Sequence, residues 1–163
     1  MYKITKPSKL LHFKDLAPWR QDNEYIHRGY RPLSNSYTKS LQSLVYVHNQ
    51  TVNIYTHLLG FIFFGASAWI FRYTLYYRYQ TATSEDAIVF GCFFAGVSAC
   101  LGFSSAFHTF SNHSEHIYEQ WLVLDFLGIL CLIAGSWVPG VYYGFYCQRP
   151  ITRFYLIMVC RCR

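Results

Sequence analysis

Charge is scarce in this sequence. Only 13% of its 163 residues are Asp, Glu, Lys or Arg, against roughly 25% in an ordinary soluble domain. Between Asp86 and Arg149 there is no lysine or arginine at all. A soluble domain of this length spreads charge over its whole surface, so the deficit excludes that class, and no nucleic-acid partner is expected. A secretory signal is missing too. The start, MYKITKPSKLLHFKDL, is basic throughout and lacks the apolar core of about 7–15 residues that such a signal needs.

What is present is apolar. The hydrophobic fraction is 53% and aromatic residues make up 20%. Three runs stand out: 52–71 and 87–110, which carry no charge, and 121–147, whose one charge is Asp125. About 20 apolar residues cross a bilayer core as helix, so the fold class expected is an all-α, polytopic transmembrane bundle. A fourth run, FYLIMVC at 154–160, meets Arg161, Arg163 and the end of the sequence. It is too short to cross, and the expectation is a larger bundle cut short.

Eight of the 14 Lys and Arg residues precede residue 40 (Lys3, Lys6, Lys9, Lys14, Arg20, Arg28, Arg31, Lys39). Basic flanks stay on the cytosolic side. The expected division is a cytosolic N-terminal segment, 1–50, and a membrane domain, 51–163, with residues 111–119 facing the cytosol. Leu10, Leu11, Phe13, Leu16 and Trp19 among the lysines fit either a short interfacial helix or a solvated tail. Two sequons, Asn49-Gln50-Thr51 and Asn112-His113-Ser114, should then stay bare, and sugar on either would reverse the orientation.

Six cysteines invite a disulfide framework, but such frameworks belong to small secreted domains. Cys92, Cys100, Cys131 and Cys147 lie in or at the ends of the apolar runs and read as small packing residues. Cys160-Arg-Cys162 is too short a motif for a metal. Gly91, Ala95 and Ala99, at steps of four, suggest a close helix contact.

Three polar residues inside the runs are costly. Asp125 sits near the start of the third, where a central carboxylate costs roughly 2.5–3.5 kcal/mol on insertion scales and normally turns toward a partner or water. His108 lies near the end of the second, with Ser104 one turn earlier on the same face. At about 1.5 Å per residue, His108 is about 4–5 Å and Asp125 about 6–8 Å from the same membrane face. A shared polar pocket follows if the two faces turn toward each other. Singly the signals are weak: a lone intramembrane histidine is more often a packing residue, and Ser104 can bond a carbonyl one turn back. His113 and His116, at i and i+3, have metal-ligand spacing but sit on a polar loop.

Four blocks in order carry a resemblance: DNEYIHRGYRP (22–32), HNQTVNIYTHLLG (48–60), SSAFHTFSNHS (104–114) and LDFLGI (124–129). From about Leu16 onward the chain resembles the progestin and adipoQ receptor family, which includes adiponectin receptors, fungal zinc-homeostasis proteins and haemolysin-III-like proteins. The resemblance implies seven transmembrane helices with a cytosolic N-terminus. The family motif Glu-x-x-Asn-x-x-x-His falls on Gln50, Asn53 and His57, with Gln50 standing where the family has glutamate. Ser-x-x-x-His followed by Asp falls on Ser104, His108 and Asp125. By resemblance His108 is one of three zinc-binding histidines, and Asp125 helps to hold water at the metal. The other two ligands come from a His-x-x-x-His on the seventh helix, which this sequence does not contain. His57 is read as a structural hydrogen bond rather than a ligand.

Three neutral imidazoles leave zinc an open position that lowers the pKa of water to about 7, and a carboxylate can orient that water. The resemblance thus implies ceramidase-like amide hydrolysis in the adiponectin-receptor branch, and zinc and lipid homeostasis in fungal relatives. Membrane lipids, ceramide-like or sterol-like, are the expected partners, and Ser104 and Asp125 the expected catalytic groups. One ligand is not a site, so the 163-residue chain alone is expected to be inactive. Two classes of function follow: part of a receptor with a zinc hydrolase site, or a silent membrane subunit packing with copies of itself or a full-length relative. A channel is a weaker third. The plasma membrane or endoplasmic reticulum is the expected location.

Overall fold

The computed structural model describes residues 9–79 and 81–161, with side chains up to residue 158. Lys3, Lys6, Cys162, Arg163 and the side chains of Cys160 and Arg161, all weighed above, lie outside the described residues. Two short strands, β1 (Leu11–His12) and β2 (Arg28–Tyr30), pair antiparallel. Five helices follow among the described residues: α1 (Tyr37–Gln42), α2 (Thr51–Arg78), α3 (Ser84–Phe110), α4 (Glu115–Gly144) and α5 (Arg149–Arg161). α2, α3 and α4 are long and apolar enough to cross a membrane. The protein is an all-α integral membrane protein built on a transmembrane helical bundle.

The helices outrun the apolar runs that announce them. α2 continues past Phe71 to Arg78 through a tyrosine-rich stretch, the residue type that favours the membrane–water boundary. α4 starts at Glu115, six residues before Trp121, so most of the segment expected as loop is helix. α3 begins with a capping box, in which Thr83 N–H donates to Asp86 Oδ2 at 2.9 Å and Asp86 N–H donates to Thr83 Oγ1 at 3.3 Å. That reciprocal pairing satisfies two otherwise orphaned donors. α5 has 13 residues and rises about 20 Å, short of a hydrocarbon core of about 30 Å.

α3 lies between α2 and α4. Its contact with α4 is a meeting of backbones. A Cβ at Gly96 would stand 2.5 Å from Cys131 O, at Gly135 2.5 Å from Cys92 O, and at Gly128 2.8 Å from Cys100 Cα. No real Cβ survives at those distances. Close approach of this kind is how membrane helices associate without a hydrophobic driving force. The seam on α3 is therefore Cys92, Gly96 and Cys100, one position round from the expected Gly91, Ala95, Ala99 row. Gly91 and Ala95 are exposed, and a Cβ at Gly91 would meet nothing within 4 Å. Cys92 and Cys100 serve as small residues at this seam, but the side chains of Cys131 and Cys147 are exposed; all four are free thiols.

Residues 10–20 form neither an interfacial helix nor a solvated tail. Leu11 and His12 form β1, 13–15 and 18–20 form single 3-10 turns, and Pro18 prevents one continuous helix. Leu16 is buried and Trp19 packs edge-on against Tyr118 of α4, centroids 5.2 Å apart, so these residues cover protein rather than lipid. The segment also docks on the α3–α4 turn: Ser34 N–H donates to Asn112 O at 2.8 Å and Asn35 N–H to His113 O at 3.0 Å. Asn35 adopts φ 45° there, a left-handed conformation that asparagine tolerates.

Candidate functional site

His108 lies in the last turn of α3, Ser104 one turn before it, His57 in the second turn of α2 and Asp125 in the third turn of α4. Ser104 is buried, and its Oγ lies 2.8 Å from His57 Nδ1. Its partner is thus the histidine of the neighbouring helix rather than a carbonyl of its own. The His57 and His108 rings stand nearly edge to face, centroids 5.8 Å apart. Asp125 is half-buried, and both it and His57 lie within electrostatic range of His108. Four polar side chains from three helices thus gather near one end of the bundle.

His108 Nδ1 is enclosed and has no hydrogen-bond partner. A buried polar atom left unpaired costs about 1–3 kcal/mol, so this nitrogen fits a group not supplied by the described residues. Zinc accepts such a nitrogen. One imidazole and one carboxylate fit only part of a zinc site, however: no group of three His, Cys, Asp or Glu among the described residues could hold a metal ion. His113 is engaged otherwise, packed on Tyr37 at 4.6 Å with Nδ1 3.1 Å from Ser114 Oγ.

Beside His108 opens a cavity of about 190 Å³ walled by Phe107, Tyr118 and, from the N-terminal segment, Arg20, Asp22 and Gln50. Much of the wall of that cavity is thus built by the head of the chain. Arg31 holds that head in place. It is 1% exposed; Nη2 donates to His108 O at 2.6 Å and Ser111 Oγ at 3.1 Å, and Nη1 to Thr109 O at 2.9 Å and Ser43 Oγ at 2.7 Å. The carbonyls at a helix C-terminus lack intrahelical partners and carry partial negative charge, which a guanidinium fork suits well. Burial lowers its pKa to about 10, with Arg20 contributing in the same direction, so Arg31 stays cationic at neutral pH.

Gln50, where the family pattern has glutamate, stands just before α2 and accepts a hydrogen bond from Asn53 Nδ2 at 2.8 Å. Its backbone N–H donates to His48 Nδ1 at 3.1 Å. His48 is buried with Nε2 unpartnered, and burial, reinforced by the Arg31 cation, pushes its pKa down to about 4. Sequence reasoning missed Arg31 and His48. In the sequence Arg31 is one basic residue of the head among eight, and its one local mark is that Tyr30-Arg31-Pro32 closes the first of the four blocks.

The pattern of the family described as haemolysin-III related matches residues 45–163. The chain is 46% identical to the "Adiponectin receptor protein" of Drosophila melanogaster over 93% of its own length and 33% of that protein's. It is 40% identical to "Progestin and adipoQ receptor-like protein 1" of Caenorhabditis elegans over 93% of its length and 34% of that protein's. Against "Progestin and adipoQ receptor family member 3" of Homo sapiens the identity is 35%, over 96% of this chain and 50% of the relative. The chain spans a third to a half of the length of these relatives.

Proposed function

The chain belongs to the haemolysin-III-related family, and on that premise we propose that it is a receptor-like membrane protein carrying part of the site of a zinc-dependent hydrolase of membrane lipid amides, linked to lipid and zinc homeostasis signalling. The observation that carries the reading is the enclosed, unpartnered His108 Nδ1 with Asp125 within electrostatic range on the adjoining helix. His108 would hold the metal together with donors from outside the described residues. The metal would polarise the scissile carbonyl and supply hydroxide near neutral pH. Asp125 orients the attacking water and accepts its proton. The cavity walled by Arg20, Asp22 and Gln50 admits water from the aqueous side, while acyl chains stay in hydrocarbon. Under this reading the N-terminal segment is cytosolic, in the plasma membrane or endoplasmic reticulum, and ceramide-like lipids are the substrate class.

The test grafts this chain in place of the matching third of the Drosophila relative and measures zinc content and hydrolysis of a fluorescent N-acyl long-chain amino alcohol. His108→Ala should lose both zinc and turnover; Asp125→Ala should keep zinc and lose turnover. Equal zinc in all three proteins would sink the reading and leave a silent subunit acting by helix packing.

A further inference from the structure

We propose that His57, rather than Ser104, is the group that acts on the substrate: a neutral imidazole whose Nε2–H donates to the carbonyl oxygen of the bound lipid amide, with Ser104 as its positioning residue. The proposal rests on the hydrolase reading above and adds to it a role for α2.

The argument turns on where one proton must go. Ser104 is 6% exposed, and its hydroxyl makes a single hydrogen bond among the described residues, to His57 Nδ1 at 2.8 Å. Its neighbours on α3 behave differently. Ser105 donates to Ile54 O at 3.3 Å and Thr109 to Ser105 O at 2.8 Å, each using a backbone carbonyl. Among the described residues Ser104 bonds no carbonyl, so the acceptor its proton finds there is the His57 nitrogen. The opposite assignment, His57 donating to Ser104, would leave a buried O–H without an acceptor, which is the costlier state. An imidazole that accepts at Nδ1 while neutral carries its hydrogen on Nε2.

Nε2 has no partner among the described residues, and it is not one of the enclosed, unpartnered atoms; it is open to a ligand. The His57 ring lies 5.8 Å from that of His108, centre to centre, so one bound molecule can meet both rings. With hydrogen on Nε2 and a serine on Nδ1, His57 has no lone pair left for a metal. It supplies instead a fixed donor, the arrangement that stabilises an oxygen gaining charge during acyl transfer. Ser104, buried beneath it, holds the ring in that tautomer and touches no substrate.

The tautomer is read directly on the 163-residue chain in nanodiscs by ¹⁵N NMR of histidine-labelled protein, with the His57 signal identified by its loss in His57→Gln. An unprotonated Nδ1 and protonated Nε2, mixed in Ser104→Ala, are expected; a protonated Nδ1 overturns the proposal. In the grafted protein, His57→Phe should lower kcat about 10²–10³-fold, the range for loss of one such donor, with zinc and KM nearly unchanged. His57→Gln, whose amide restores an N–H, should recover at least about tenfold of that loss. Zinc lost from His57→Phe as from His108→Ala would make His57 a ligand and overturn the proposal, as would an undiminished kcat. Zinc retained by His108→Ala instead defeats the hydrolase reading, whatever the tautomer shows.

Discussion

Arg31 Nη2 reaches the carbonyl oxygen of His108 at 2.6 Å, joining a residue of the aqueous head to the backbone of the candidate metal ligand. The same guanidinium bonds Thr109 O, Ser43 Oγ and Ser111 Oγ. Removing it strips partners from two carbonyls at a helix end where partial negative charge accumulates. Arg31→Met should therefore destabilise the fold by about 1–3 kcal/mol for each buried carbonyl left unpaired. Arg31→Lys keeps the charge, but an ammonium cannot reproduce the planar fork, so its loss should be smaller. Thermal unfolding in detergent, followed by helical circular dichroism, reads both. Equal stability of Arg31→Met and the parent would show that the head is not latched to α3.

The α3–α4 seam gives a second prediction with built-in controls. Gly96, Gly128 and Gly135 face opposing backbone at 2.5–2.8 Å from where a Cβ would be, and backbone cannot swing aside as a side chain can. Alanine at each should cost about 1–3 kcal/mol, the range for overpacking. Gly65 and Gly91 have nothing within 4 Å; alanine there should leave stability unchanged or raise it by up to about 1 kcal/mol through helix propensity. Uniform effects across all five would contradict the seam.

The spans were legible because apolar runs with few charges have few alternatives, but their ends were not. A helix continues past the hydrocarbon wherever its polar turns are solvated, as Glu115–Gln120 and Tyr73–Arg78 do. The small-residue seam was misplaced by one position: Cys92 and Cys100 were read for their size but not placed on the row with Gly96. The candidate site was half legible. Ser104, His108 and Asp125 stood out as polar residues in apolar runs; the structure sets Ser104 and His108 against His57 and leaves Asp125 within electrostatic range of His108. The partner of Ser104 could not be read, because spacing of four along α3 points to His108 and says nothing of a ring arriving from α2. Arg31 was illegible for a similar reason: three of its acceptors lie 77–80 residues away, beyond any local pattern.

The sequons yield a prediction about orientation. Asn112 is 3% exposed, its Oδ1 accepts from Ser40 Oγ at 2.9 Å and its Nδ2 donates to Pro32 O at 3.1 Å. A glycan on that nitrogen would displace the whole head from the α3–α4 turn. Asn112 should therefore be bare on either side of the membrane, and a bare Asn112 carries no information about orientation. The proposed cytosolic N-terminus is tested instead with an epitope tag at residue 1 in cells whose plasma membrane alone is permeabilised. Antibody should reach the tag after permeabilisation and not before. A tag reached in intact cells, or one still shielded after permeabilisation, would invert the topology.

His48 gives the pH dependence. Burial beside the Arg31 cation takes its imidazole from the ordinary 6.5 down to about 4, so the folded chain holds it neutral where the unfolded chain would protonate it. A group with a lowered folded pKa contributes nothing to this dependence above the unfolded value, where both states are neutral. As pH falls below about 6.5 the unfolded state takes up a proton that the folded state refuses, and stability declines until the folded group also titrates near 4. The slope from one such group cannot exceed about 1.4 kcal/mol per pH unit. His48→Gln offers an acceptor near the Gln50 N–H without a titrating ring, and should flatten the melting temperature between pH 6.5 and 4 relative to the parent. Parallel curves for the two proteins across that window would show that His48 gains its proton in the folded state as readily as in the unfolded one, and would remove it as a source of acid sensitivity.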